Sequence, residues 1–68
     1  MTVCYDKLWK LMNDNKMRKK DLAKAAEITE YSMRKLNGNQ PVSMSVMINI
    51  CKVFHCDIGD VMQVIEDI

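Results

Sequence analysis

Between Met17 and Asn39 the chain fits two helix starts, two helix stops and a turn into MRKKDLAKAAEITEYSMRKLNGN. Met17 and Leu22 stand where a hydrophobic staple fastens the start of a helix over 18–26. Thr29 is a natural N-cap for a second helix over 29–37, with Ile28 before it and Met33 at the matching staple position. Asn37-Gly38-Asn39 then stops that helix with residues that tolerate positive φ. Ala23, Ala25 and Ala26 add little bulk, so the two helices can approach closely. The segment therefore reads as a helix-turn-helix.

The flanking sequence supplies further helices. Tyr5 to about Asn15 carries Leu8, Leu11 and Met12 at the spacing of one buried stripe. Trp9 lies beside that stripe and reads as part of the core edge, not as a ligand platform. Ser43 caps a helix reaching Phe54, with Met44, Met47, Ile50, Cys51 and Phe54 on one face. Asp57, followed by Asp60, is expected to cap a fifth helix over 57–66 whose stripe is Ile58, Val61, Met62 and Ile65. No stretch sustains period-2 alternation, so strands are not expected. The expected architecture is all-α: one compact five-helix domain over residues 1–68, with helices near 5–15, 18–26, 29–37, 43–54 and 57–66. A core this small supplies roughly 3–5 kcal/mol, so dense helical packing, helped by dimerisation, is the expected solution.

Several classes of function fall away. The three cysteines, Cys4, Cys51 and Cys56, form no CxxC pair and read as free thiols in a reducing cytoplasm. His55 beside Cys56 has no second ligand cluster at zinc spacing, so no metal is expected. Although 49% of the chain is hydrophobic, its apolar runs are far shorter than a membrane span needs. There is no charged-then-apolar leader, so a cytoplasmic location is expected. Neither a nucleophile–base pair nor a glycine-rich phosphate loop nor paired carboxylates can be found, and no enzyme is expected. No cofactor or small-molecule ligand is expected either.

The net charge of +1 conceals a polarised map. Seven basic residues and three acidic ones lie between Lys16 and Lys35, while the last twelve residues hold four acids and no base. One face suited to a polyanion follows from that distribution. With Met33 and Leu36 turned inward, Glu30, Tyr31, Arg34 and much of Lys35 face outward. Arg34 offers a planar fork for the O6 and N7 of guanine, and Lys35 can reach a guanine or a phosphate. Tyr31 can pack on a thymine methyl. Glu30 could accept from a cytosine amino group or simply favour the helix dipole. Arg18, Lys19 and Lys20 crowd the start of the second helix, where the dipole disfavours cations by a few tenths of a kcal/mol each. A docked phosphate would compensate them. Tolerated solvated charge is the alternative reading, and phosphate docking is the one favoured.

These residues resemble the helix-turn-helix of the lambda-repressor and Cro-like family, also called the xenobiotic-response-element type. Met17, Leu22, Ala23, Ile28, Thr29, Met33 and Leu36 fall on its apolar and capping positions, and PVSMSVMINICKVFHCDIGDVM resembles its closing helices. The resemblance implies binding of double-stranded DNA by a small transcriptional regulator. It implies a base-facing set of Thr29, Glu30, Tyr31, Arg34 and Lys35. Arg18, Lys19 and Lys20 would hold one phosphate strand, and Asn39 and Gln40 the other through backbone and amide donors. Family members commonly bind as dimers, and Val64 and Ile68, off the core stripe, are the expected homodimer contacts.

The departures from the family pattern are informative. Lys19 replaces the usual glutamine, which moves that contact towards phosphate alone. Glu27 replaces the turn glycine and has to accept a left-handed conformation at roughly 1 kcal/mol. Met12 and Asn37 stand where many members pair an arginine with a glutamate. Loss of both partners together avoids a stranded charge, whose cost would be roughly 3–5 kcal/mol. The same fold could also serve a protein-interaction module, such as an antitoxin-like or anti-repressor subunit. Salt-dependent duplex binding separates the two.

Overall fold

A computed structural model describes residues 2–66 of the chain. In chain order it runs from a short strand β1 (Thr2–Cys4) through α1 (Asp6–Asp14), α2 (Lys19–Ala25), α3 (Glu30–Asn37) and α4 (Met44–Phe54). A single 3₁₀ turn (Ile58–Asp60) and a second strand β2 (Gln63–Ile65) follow. Each of the four α-helices gives at least one residue to a shared core, in which Leu8, Leu22, Leu36 and Ile50 are fully buried together with Val61, just after the 3₁₀ turn. Tyr5, the N-cap of α1, is fully buried with them.

The helix starts follow the capping logic of the sequence. The Thr29 hydroxyl accepts from the Ser32 N–H at 3.2 Å, and the Ser43 hydroxyl accepts from the Val46 N–H at 3.3 Å. Arg18, the N-cap of α2, has no acceptor to offer; instead its own N–H donates to the Asp21 carboxylate at 3.1 Å. That leaves half of a reciprocal capping pair.

The helix ends share one device. Lys16, Glu27, Asn39 and His55 all adopt left-handed φ angles of 52–55°, and none is glycine. The following N–H then closes back on the last turn: Met17 to the Met12 carbonyl, Ile28 to Ala23 and Gln40 to Lys35, each at 2.8 Å, and Cys56 to Cys51 at 3.1 Å. This is the Schellman closure. Met17 and Ile28 serve twice. Each ends one helix with its N–H and packs its side chain on the core at the start of the next. The turn between α2 and α3 is short for this reason. As the sequence requires, Glu27 is left-handed, with φ 55°.

The expected fifth helix over 57–66 is not formed, and strands are present after all. The Asp57 N–H does donate to the Asp60 carboxylate at 3.0 Å, but the cap opens only one 3₁₀ turn. Beyond it the chain extends, and β2 pairs antiparallel with β1 in the register Thr2↔Ile65, Val3↔Val64, Cys4↔Gln63. Two physical causes decide the difference. A helix of about ten residues is marginal in water unless packing holds its stripe. Here Val61, at the end of the 3₁₀ turn, is fully buried, whereas Ile65 further along remains 38% exposed. The N-terminal strand meanwhile offers a ladder to β-branched Val64 and Ile65. Three-residue strands are also too short to display period-2 alternation. The described part of the chain thus has four α-helices, not five, and a two-stranded sheet.

Among the described residues, no helix is long and apolar enough to cross a membrane.

Candidate nucleic-acid interface

α3 presents a continuous outward face. Leu36 is fully buried and Met33 packs against the core, which turns Glu30, Tyr31 and Arg34 to solvent. Tyr31 is 68% exposed. The Lys35 ammonium lies 4.7 Å above the Tyr31 ring, so these two residues, one turn apart, act as a single cationic and aromatic unit. Thr29 is exposed, but its hydroxyl is engaged in capping α3. Its methyl group and one remaining hydroxyl lone pair are left for a base.

The basic start of α2 is brought against the far end of α3. The Lys19 ammonium donates to Asn37 Oδ1 at 2.6 Å and sits 4.6 Å from the centroid of the Trp9 ring. One side chain therefore ties α1, α2 and α3 together. Arg18 lies beside Asp21, with Nε 3.5 Å from the carboxylate, on a side chain 74% exposed. Such a pair contributes little to stability and is readily exchanged for another anion. The Asp21 carboxyl is held below its ordinary value, first by the Arg18 backbone N–H and then by the charges of Arg18 and Lys20. Lys20 is exposed and makes no ion pair among the described residues.

The loop after α3 is anchored from beneath. The Tyr5 hydroxyl donates to the Gln40 carbonyl at 2.7 Å. Burial pushes the Tyr5 hydroxyl above its ordinary pKa, and the neighbouring Val42 backbone partly offsets the effect. The Asn39 and Gln40 N–H groups both close α3. Of the donors expected from these two residues, the side-chain amides, on exposed residues, are the ones left for contact.

Trp9 and Asn37 were not among the residues singled out for the interface. Trp9 is half-buried, as its place beside the stripe implies, yet it also carries the Lys19 cation. The helical spacing of Glu30, Arg34 and Asn37 could have signalled Asn37, since residues four and three apart share one face. Val64, expected on a fifth helix, is instead on β2 and is 56% exposed. Ile68 lies outside the described residues.

Away from this face, Cys51, His55, Cys56 and Asp57 line an open groove at the end of α4. Among the described residues, no three side chains of metal-ligating type are arranged to hold an ion. Burial first, and then the Cys51 thiol and the carboxylates of Asp60 and Asp57, push the Cys56 thiol up. That is the opposite of an activated nucleophile.

Residues 7–67 match the family model of the Cro/C1-type helix-turn-helix DNA-binding domain. The chain belongs to that family. Among solved structures, the transcriptional regulator VanUg (crystal form II) is similar at a TM-score of 0.92 and 36% identity. The match covers 97% of this chain and 88% of that one. No curated protein matches the chain significantly. Within the Cro/C1-type fold, the helix-turn-helix comprises α2 and α3.

Proposed function

We propose that this Cro/C1-type domain is a sequence-specific regulator of transcription that binds double-stranded DNA. In this reading α3 enters the major groove. Arg34 reads guanine through a bidentate contact, Lys35 and Tyr31 share the neighbouring base edges, and Glu30 selects against unsuitable bases. Arg18, Lys19 and Lys20 hold the phosphates of one strand, and the Asn39 and Gln40 amides meet the other. The carrying observation is the outward face of α3. Tyr31 and Arg34 are exposed on it, and the Lys19–Asn37 bond draws the basic start of α2 to the same helix.

A homodimer on a palindromic site would add a second recognition helix, and Val64, an exposed apolar residue, is proposed to contribute to such a contact. The exposed Tyr31 also suits a protein surface, so an interaction module is the competing reading. It does not account for the gathering of cations beside α3.

The test is equilibrium binding to duplexes selected from a random pool, measured across a range of salt. Affinity should fall steeply as salt rises, because each neutralised phosphate releases counterions. Arg34→Ala should cost about 1–3 kcal/mol and relax preference at one base pair. Lys20→Ala should weaken all sequences alike and lower the salt slope by about one. Indifference to salt, or the same profile from both variants, would overturn the role assignment.

A further inference from the structure

In the proposed function Asn37 only holds Lys19, and its own NH₂ group has no part there. A lysine ammonium has donors and no acceptor, so the atom facing Lys19 at 2.6 Å must be the Asn37 carbonyl oxygen. That assignment fixes the amide, since its two ends are otherwise interchangeable. The NH₂ group therefore points away from Lys19, on a residue exposed to solvent and without a hydrogen-bond partner among the described residues. Lys19 is held on its other side by the Trp9 ring at 4.6 Å. A chain of three side chains from three helices thus ends in donors only.

Its position adds to the case. Asn37 follows Arg34 by three residues and Glu30 by seven, so it continues the outward strip of α3 beyond the proposed base-reading residues. The Arg34, Leu36 and Lys35 carbonyls are closed by the Gly38, Asn39 and Gln40 N–H groups, which leaves fewer backbone acceptors at that end. The ligand that suits a cation and an amide offering only N–H groups, at the rim of a base-reading face, is a backbone phosphate.

Resting on the DNA-binding reading, we infer that Asn37 is a further phosphate-contacting residue whose amide is oriented by Lys19, with Trp9 as the platform that positions both. This unit joins α1, α2 and α3 and leaves the amide donors of Asn37 on a residue that faces solvent.

The experiment uses the full chain and a duplex selected from a random pool. Asn37→Ala should lower affinity by roughly tenfold, the worth of one hydrogen bond to a charged group, at both low and high salt. Its melting temperature should stay close to that of the wild type, because the lost Lys19 bond is solvent-exposed and alanine favours an exposed helical position. Asn37→Gln, which keeps both amide groups, should recover most of the loss. Trp9 is the single tryptophan, so its emission reports directly on the Lys19 cation and should change as the duplex saturates the wild type. An Asn37→Ala variant that binds within twofold of a binding-competent wild type would overturn this inference alone. So would unchanged Trp9 emission at saturation. A wild type that binds no duplex would remove the regulator reading and this inference together.

Discussion

Replacing Glu27 with glycine should make the protein more stable, although it removes a side chain and adds no contact. Glu27 has φ 55°, where the Cβ of an L-residue crowds the following carbonyl at about 1–2 kcal/mol. Glycine relieves that strain but restores freedom to the unfolded chain, which takes back about 0.4–1 kcal/mol. The difference is a net gain of roughly 0.5–1 kcal/mol, or about 2–8 °C in melting temperature for a domain this size. The Ile28 N–H to Ala23 carbonyl bond that closes α2 involves only backbone and should survive. Glu27 also places a carboxylate near the negative end of α2, so loss of charge alone could stabilise. Glu27→Ala separates the two effects, because it removes the charge and keeps the Cβ. Thermal unfolding of the three proteins, followed by far-ultraviolet circular dichroism, decides the matter. Equal stability of the glycine and alanine variants would refute the backbone explanation.

Thr29→Ala should destabilise by about 1 kcal/mol by freeing the Ser32 N–H, and Thr29→Ser should not; denaturant midpoints check this. Tyr5→Phe should cost about 1–2 kcal/mol, since it leaves the Gln40 carbonyl without its donor, and should loosen the loop after α3, seen as faster amide exchange there. Tyr5 also sets an alkaline limit. Its folded pKa is raised above the ordinary 10.0, so the fold keeps a proton that the unfolded chain releases. That contribution is intact below pH 10.0 and is lost as pH climbs through the folded value. Unfolding measured against pH should show the loss in the wild type and not in Tyr5→Phe. Lys19→Gln should reduce the salt slope of duplex binding by about one, through the lost cation, while keeping a hydrogen-bonding partner for Asn37.

Much of the helical framework could be read from residues three to five apart. Thr29 and Ser43 cap, Met17 and Ile28 staple, and Glu27 takes the left-handed turn, because each role depends on neighbours along the chain. The outward set on α3 followed from the positions of Met33 and Leu36 alone. The fifth helix failed for a matching reason. Asp57 and Asp60 spell a helix start locally, and the first turn obeys them. What comes next depends on β1, at the opposite end of the chain.

Local chemistry, then, determined where the four α-helices begin and end, and which side of α3 meets solvent. Tertiary structure decided the rest: the β1–β2 ladder, the Tyr5 anchor beneath Gln40 across 35 positions, and the Lys19–Asn37 bond across 18. Caps and staples close over a few residues and leave a spacing that can be recognised. A contact between distant residues exists only once the core has brought its partners together, and no spacing in the chain announces it.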